Sequence, residues 1–534
     1  MKHKRFLKLF SLIMILVVCI CPLLSGCGGN PDDPVLDVTS KVATSFGGRS
    51  AYVFEDINNK DVTVETFFWY QNEGNKNNPN IGQAVMLNDA IRYKQAHPEK
   101  DVYATITSFH YSVVLGVCLD EKSPNYLKVK PLYDAEYDDE GYVRIAYLPI
   151  KAAKLGIKVI VIGQIDASPV PQGDNKYKND YSFEEYYNNY LNKDAEISGK
   201  KVSDFLTFRV AEWTSYGDKS ATDMMHLKSC SVSNYRDYKG VDHGSAVWLG
   251  SVNLDGIDVW GNNGNNNTQS AVIISEHDEI RNVLYNYTEL MSKYCKQEAI
   301  YEFRHLVNTL NKKQIDFIEA GQEDKIMKNE QIVYLGSKTD KVFELYFTPL
   351  ADSVNEWDTK YNVYSKYFEK LLPLNTQGNP ITLSWANAKY KEDGEFSQTL
   401  VNVMRKAFEE NKNKENRIFL HLPYTDADEE DGGELTRLDY SIFDSLVVGK
   451  DIGFKKFGVE YGVHTKDLQM SYVENGKRQY VTILNSLNFH QGSAYYQTNS
   501  FLVIKESNAV GNNIYVDMGK FMSEGAITES QRVG

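Results

Sequence analysis

Two His-x-Lys triplets are the residues of this 534-residue chain with the clearest chemical potential. They are His226-Leu227-Lys228 and His464-Thr465-Lys466, and none of the other eight histidines has a lysine two positions later. In an extended segment, residues i and i+2 point to the same face, so each histidine and its lysine should reach one cleft. An imidazole can act as a nucleophile or as an acid and base near neutral pH, and lysine adds a positive charge.

The same two elements follow each triplet. Ser251-Val252-Asn253 and Ser486-Leu487-Asn488 come first, and each is followed by an apolar segment, Thr268–Ile274 in one half and Thr498–Ile504 in the other. Serine and asparagine side chains can donate hydrogen bonds to phosphate oxygens. We therefore expect the two halves to form one site, with His226 and His464 catalytic and with six phosphate-binding residues: Lys228, Ser251, Asn253, Lys466, Ser486 and Asn488.

These motifs resemble the signature of the phospholipase D superfamily, His-x-Lys-x4-Asp followed by Gly-Ser-x-Asn, present twice in one chain. The resemblance spans roughly Val62 to the C-terminus. It implies a two-lobed α/β sandwich in which one histidine attacks phosphorus to give a phosphohistidine. The other histidine protonates the leaving oxygen and then activates water. By the habit of the family, His226 is the nucleophile and His464 the acid and base.

Two departures from that signature concern four supporting positions. Ser233 and Ser471 stand where the signature has aspartate, although relatives such as tyrosyl-DNA phosphodiesterase also lack it. Gln269 and Asn499 stand near the place where many members have a glutamate that orients a histidine. An amide can hold the ring but stabilises imidazolium less than a carboxylate does. We therefore expect lower activity, with a silent site as the alternative.

Four other histidines have weaker patterns. His110 and His421 each lie near the end of a predicted strand, where α/β folds place ligands, but structural or supporting roles are the simpler interpretation. His243 and His490 lie close to the half-sites without a partner lysine and are interpreted as loop residues.

The elements that must position these residues form two passes of one pattern. The first pass predicts strands at Val62–Phe68, Tyr103–Tyr111 and Ile157–Ile162, with helices at Gln83–Ala96 and Pro149–Leu155. The second predicts strands at Val342–Thr348, Ile381–Ala386 and Arg417–Leu422, with helices at Asn362–Leu372 and around Leu400–Phe408. This alternation predicts an α/β fold made of two similar sandwich lobes, related by an internal pseudo-twofold repeat.

The predicted organisation has five parts. Residues 61–277 form the first lobe, 278–335 a helical connector and 336–534 the second lobe. Residues 1–26 form a signal peptide, in which four basic residues precede an apolar run that closes on Leu24-Ser25-Gly26-Cys27. That ending is the pattern of a bacterial lipobox, so Cys27 would be lipidated and residues 27–60 would act as a tether. The apolar run is shorter than the roughly 20 residues of a spanning helix.

The charge and the cysteine content restrict the ligands, metals and substrates that we expect for this protein. Without the signal, the chain has 54 basic and 72 acidic residues, a formal charge of −18. A surface this negative repels the phosphate backbone of a nucleic acid, which argues against sequence-independent nucleic-acid binding as the main role. Cys118, Cys230 and Cys295 remain and should be buried, with no Cys-x-x-Cys pair to suggest zinc. We expect a metal-free, cofactor-free monomer that is anchored to the outer face of a bacterial membrane. Its expected substrates are phospholipid or envelope phosphodiesters.

Two alternatives remain open from the sequence. An extracellular nuclease of the same fold would need a basic stripe leading into the cleft. A catalytically silent protein would keep the phosphate pocket and bind phosphate-like anions without forming a phosphohistidine.

Overall fold

The computed structural model describes most of the chain from residue 39 to residue 532. The described ranges are 39–41, 46–48, 50–57, 59–70, 78–133, 135–166, 170–172, 176–178, 182–192, 201–213, 224–254, 266–322, 332–336, 341–350, 359–361, 363, 366–367, 381–384, 418–422, 452–457, 461–474, 477–487, 491–506, 513–524 and 526–532. The predicted signal peptide, Cys27, Asn488 and the helix around Leu400–Phe408 lie outside them, as does most of the helix predicted at Asn362–Leu372.

Seventeen of the described strands come from the first half of the chain. They are Thr39–Lys41 (β1), Ser50–Ile57 (β2), Lys60–Tyr70 (β3), Tyr103–Tyr111 (β4), Leu115–Cys118 (β5), Val129–Pro131 (β6), Tyr142–Arg144 (β7), Lys158–Asp166 (β8), Val170–Gln172 (β9), Lys176–Lys178 (β10), Leu206–Val210 (β11), Met224–Met225 (β12), Ser229–Val232 (β13), Tyr235–Arg236 (β14), Asp242–His243 (β15), Ala246–Gly250 (β16) and Asn266–Ser275 (β17).

The second half contributes ten described strands. They are Phe343–Phe347 (β18), Ile381–Ser384 (β19), Ile418–Leu422 (β20), Ile452–Phe457 (β21), Tyr461–Val463 (β22), Leu468–Glu474 (β23), Lys477–Asn485 (β24), Gln497–Thr498 (β25), Ser500–Glu506 (β26) and Ala526–Arg532 (β27).

Seven α-helices are described. They are Asn80–Ala96 (α1), Tyr147–Lys154 (α2), Phe183–Asn192 (α3), Asp278–Ser292 (α4), Ile300–Glu319 (α5), Gln491–Tyr496 (α6) and Ile514–Glu524 (α7). Gly156 adopts a φ of 89° just after α2, the left-handed conformation that glycine supplies at helix ends. None of the described helices is both long and apolar enough to cross a bilayer.

The first lobe, which we define as β1–β17 with α1–α3, is built on one large sheet. Its strand order is β1-β2-β3-β17-β16-β13-β4-β8-β11. Strands β4, β8 and β11 are parallel, and β13, β16, β17 and β3 alternate in direction. In β8, Val159–Ile162 are buried on both faces of the sheet, as in parallel strands that are covered on each side.

The second lobe, defined as β18–β27 with α6 and α7, repeats this order. One sheet runs β18-β26-β24-β23, and these strands are successive antiparallel neighbours. A second sheet runs β19-β20-β21-β27, in which β19, β20 and β21 are parallel. Strands β18, β26, β24 and β23 thus correspond to β3, β17, β16 and β13, and β19, β20 and β21 correspond to β4, β8 and β11. The α/β fold and its internal repeat are confirmed.

Two hydrophobic cores hold the sheets. One lies between the large sheet and helices α1–α3 and contains Ile81, Met86, Ile150 and Tyr187. The other covers the opposite face and joins the lobes, because it includes residues of the first sheet, of α4 and α5, and of strands β18 and β26. Helices α4 and α5 pack into this second core.

The predicted strands and helices that are described occur with small shifts. Strand β4 has the predicted bounds, whereas α1 and α2 begin at Asn80 and Tyr147, three and two residues before the predicted starts. Cys118, Cys230 and Cys295 are buried free thiols, as predicted.

Candidate active site at the junction of the lobes

A short parallel ladder between the lobes precedes each His-x-Lys triplet. Strand β12 pairs with β25 so that Met225 stands opposite Thr498. Strand β22 pairs with β17 so that Val463 stands opposite Thr268. In each ladder, the residue that follows one strand is a histidine of one lobe, and the residue next to it on the other strand is a carboxamide of the other lobe. Backbone pairing between the lobes therefore sets which amide meets which imidazole.

His226 contacts Asn499 of the second lobe. Its Nδ1 lies 2.9 Å from Asn499 Oδ1. The amide nitrogen of Asn499 donates to the carbonyl oxygen of Ser493 at 3.2 Å and to Thr348 Oγ1 at 3.3 Å. A carbonyl oxygen only accepts, so Asn499 must turn Oδ1 toward the ring, and Nδ1 must carry the proton. The neutral ring then presents the lone pair of Nε2.

His464 makes the reciprocal contact with Gln269 of the first lobe. Its Nδ1 lies 2.9 Å from Gln269 Oε1, which also accepts a hydrogen bond from Ser251 Oγ at 2.8 Å. In the second lobe, Ser486 Oγ donates to Asn499 Oδ1 at 3.1 Å. Each imidazole is thus held by an amide, and each amide by a serine of its own lobe. Gln269 Nε2 has no hydrogen-bond partner within the described part of the chain, so among those residues the hydrogen bonds of this side-chain amide are made through its oxygen.

Both lysines are buried beside the histidines that they accompany. Lys228 Nζ donates to the carbonyl oxygen of His226 at 2.9 Å, and Lys466 Nζ donates to that of His464 at 2.6 Å. Burial and the charges of Lys228 and Lys466 lower the pKa of His226 well below its usual range. The pKa of His464 is lowered in the same direction, by burial first and then by Lys466 and Lys228. Without an anion, both rings are neutral near pH 7.

The backbone around Ser251 is unusually close to the neighbouring strand. A Cβ placed on Gly250 would lie 2.7 Å from Ala271 Cβ and 2.8 Å from the carbonyl oxygen of Ser270. Glycine therefore lets β16 approach β17 closely enough for Ser251 to reach Gln269. Asn253 Oδ1 accepts from the backbone N–H of His110 at 3.4 Å, which ties this loop to the end of β4.

Ser233 and Ser471 are not brought to the imidazoles. Ser233 Oγ accepts from the backbone N–H of Tyr103 at 3.0 Å, at the opposite end of β4 from the site. Ser471 lies inside β23, five residues beyond Lys466, about 16 Å along an extended strand. Ser471 is therefore part of a strand, and Ser233 directly follows the end of β13.

Two residues that the sequence did not assign to the site lie beside it. The Phe109 ring packs 5.4 Å from the His226 ring and 4.6 Å from the His110 ring, between centroids. Lys228 Nζ lies 5.7 Å from the centre of the same ring. His110 is close enough for its charge to lower the pKa of His464 further. Their position near the carboxyl end of a predicted strand was the signal that could have identified them.

Of the other histidines with weaker patterns, only His243 has a described side chain. His243 forms ion-pair contacts with Asp237 at 3.3 Å and Glu276 at 3.4 Å in a hairpin. His421 belongs to β20, but its side chain is outside the described residues, as is all of His490. Across the described ranges, no three His, Cys, Asp or Glu side chains are grouped to hold a metal ion.

No protein-family model and no curated protein sequence matches this chain significantly. Among solved structures, it is similar to a polyphosphate kinase from Porphyromonas gingivalis, with a TM-score of 0.37, 10% identity and coverage of 84% of this chain and 51% of that chain. It is also similar to a phosphatidylserine synthase from Haemophilus influenzae Rd KW20, with a TM-score of 0.43, 9% identity and coverage of 84% and 88%. The chain thus spans about half the length of the polyphosphate kinase.

Proposed function

We propose that this protein is a phospholipase D-like phosphodiesterase that acts through a phosphohistidine. The observation that carries the proposal is the reciprocal pair of imidazole–amide contacts, His226 with Asn499 and His464 with Gln269. The buried imidazole of His226 and the half-buried imidazole of His464, each with a fixed Nδ1 partner and a buried lysine beside it, provide a nucleophile, an acid and positive charge at one place.

In the proposed reaction, His226 Nε2 attacks phosphorus and forms a P–N bond as the bond to the leaving alcohol breaks. The proton of His464 Nε2 passes to the leaving oxygen. Water then gives a proton to His464 and attacks phosphorus, which breaks the P–N bond and releases the phosphomonoester. An anionic substrate favours protonation of His464, since its charge opposes the effect of the two lysines. Asn253 and Asn488 would donate hydrogen bonds to phosphate oxygens. Ser251 and Ser486 would do so by exchanging the hydrogen bonds that they donate to Gln269 and Asn499.

The substrates we propose are phospholipid or envelope phosphodiesters. Lipidation of Cys27 would place the protein on the outer face of a bacterial membrane as a monomer, and the formal charge of −18 after signal removal disfavours a nuclease. The proposed parts remain a signal peptide at 1–26, a lipidated tether at 27–60, lobes at 61–277 and 336–534, and a connector at 278–335.

A second candidate is a phosphate-binding lipoprotein without catalysis. The specific observation in its favour is that carboxamides, rather than carboxylates, contact both imidazoles. An amide leaves imidazolium less stabilised, so the acid form of His464 is scarce near pH 7. Such a protein would bind vanadate or tungstate but would not accumulate phosphohistidine.

The test is hydrolysis of a simple aryl phosphodiester by the purified protein and by His226→Ala and His464→Ala. We expect each substitution to abolish hydrolysis, EDTA to have no effect, and acid quenching to trap a labelled phosphohistidine in the wild type. Full activity in both variants would refute the proposed catalytic residues. Tungstate binding without hydrolysis or trapped phosphohistidine would favour the silent protein. A lipid extract as substrate would then identify the released group.

A further inference from the structure

A cleft of about 250 Å³ opens beside the nucleophile side of the proposed site. Its walls come from the carboxyl ends of the parallel strands β4, β8 and β11 and from the strand that leads into His226. The lining residues are Phe109, Gln164, Ile165, Val210, Ala211, Glu212 and Met224. The carboxyl ends of parallel strands are where α/β folds place ligands.

The cleft and the phosphate site share a wall. The Phe109 ring lines the cleft and also packs 5.4 Å from the His226 ring. Met224 lines it as well and stands two residues before His226. A substituent on a phosphorus held at His226 would therefore find the cleft next to it.

The cleft offers mainly apolar contacts. Four of its walls are the side chains of Phe109, Ile165, Val210 and Met224. The two most polar lining residues already have partners, since Gln164 Oε1 accepts from the backbone N–H of Met225 at 2.7 Å and Glu212 forms an ion pair with Lys296. An apolar substituent would thus be desolvated without displacing a hydrogen bond of the protein.

We infer that this cleft binds a single aryl or short alkyl substituent that stays on phosphorus during the reaction. This inference rests on the proposed function. In-line attack by His226 places the leaving alcohol on the opposite side, toward His464, so the cleft beside His226 faces a retained substituent. Cavities of about 150 Å³ bind benzene, whereas drug-sized ligands occupy about 300–1,000 Å³. The cleft fits one ring or short chain, so among the proposed substrates it favours envelope phosphodiesters with a small retained substituent over phospholipids that would retain a diacylglycerol unit.

The test compares two phosphodiesters with the same p-nitrophenyl leaving group, one retaining a methyl and one a phenyl substituent. For the full-length wild type we expect kcat/KM to be about tenfold higher with phenyl, because apolar groups in such pockets discriminate by about that factor or more. Val210→Trp should fill the cleft and reduce the phenyl preference to less than about twofold. Val241→Trp, the same change at a half-exposed hairpin position, should keep the preference.

Binding of phenylphosphonate and methylphosphonate, measured by calorimetry, separates the cleft from catalysis. A Val210-dependent preference for phenylphosphonate without any hydrolysis would retain the cleft and refute the phosphodiesterase. Hydrolysis with no phenyl preference in either assay would refute the cleft and retain the phosphodiesterase. Equal loss of methylphosphonate and phenylphosphonate binding in Val210→Trp would also refute a separate cleft. Ile165→Trp, on the neighbouring strand, replaces Val210→Trp if that variant does not fold.

Discussion

Asn499 Oδ1 lies 2.9 Å from His226 Nδ1, although 273 residues separate them in the chain. Asn499 belongs to the second lobe and His226 to the first, and Gln269 and His464 make the same contact in the opposite sense. Each lobe therefore supplies the group that orients the imidazole of the other. The four residues can be changed separately, and the consequences differ because their surroundings differ.

Gln269→Glu should increase hydrolysis near pH 7. A carboxylate in place of the amide, 2.9 Å from His464 Nδ1 in the wild type, favours imidazolium and should raise the pKa of His464. The acid form then persists to higher pH. The alkaline limb of the kcat/KM profile should move upward by the same amount. An alkaline limb that stays at the same pH as in the wild type would contradict a role for His464 as the acid. Gln269→Leu serves as the uncharged control.

Asn499→Asp should have the opposite effect on activity. The new carboxylate raises the pKa of His226, and a protonated nucleophile cannot attack, so the acidic limb of the pH profile should move to higher pH. The substitution also replaces the amide nitrogen that donates to the carbonyl oxygen of Ser493.

The stability of these two variants should also differ. Asn499→Asp places an acceptor against the Ser493 carbonyl and should lose about 1–3 kcal/mol of unfolding free energy. Gln269→Glu should lose less, because Gln269 Nε2 has no hydrogen-bond partner among the described residues. Thermal denaturation of both variants at one pH measures the two losses of unfolding free energy. Equal losses in the two variants would contradict this prediction.

Anions should stabilise the wild type through Lys228 and Lys466. Both lysines are buried, and their charges lower the pKa of both imidazoles. Tungstate at about 100 times its Kd should add about 2.7 kcal/mol of stability. Lys228→Met should lose most of this increment at the same tungstate concentration, whereas Lys60→Met, at an exposed pair with Asp278, should keep it. Thermal unfolding at increasing tungstate concentrations measures the stability that tungstate adds. If tungstate stabilised Lys228→Met as much as the wild type, Lys228 would be excluded from the anion site.

Glu65→Gln should flatten the dependence of stability on pH. Burial raises the pKa of Glu65 to about 7, although its carboxylate accepts from the backbone N–H groups of Phe46 and Gly48. Because the pKa in the folded state exceeds the ordinary value of 4.5, which applies to the unfolded chain, the stabilising contribution is complete below pH 4.5 and is lost as the pH rises to about 7.

The loss attributable to Glu65 across that interval is about 3 kcal/mol. Glu65→Gln keeps an acceptor for both backbone groups and removes the titration. Denaturant unfolding at pH 4.5 and pH 7 should show a smaller difference for the variant than for the wild type. The same decrease in both proteins would assign the pH dependence to other groups.

The sequence by itself determined the local elements and the residue types of the site. Alternating and continuous apolar segments placed β4 at its observed bounds and identified the repeat, since strand periodicity depends on nearest neighbours along the chain. The two His-x-Lys triplets and the Ser-x-Asn triplets that follow them are recognisable because these motifs occur in the same order in both halves of the chain. The sequence also indicates Gln269 and Asn499 as possible partners of the histidines.

Only the tertiary structure decided which partners meet. The ladders of β12 with β25 and of β22 with β17 form between segments more than 190 residues apart. Their register pairs His226 with Asn499 and His464 with Gln269. The same packing leaves Ser233 at the far end of β4 and places Phe109 between His226 and the cleft. Spacing along a chain encodes which face a side chain takes, whereas contacts between lobes depend on how all the sheets and helices pack.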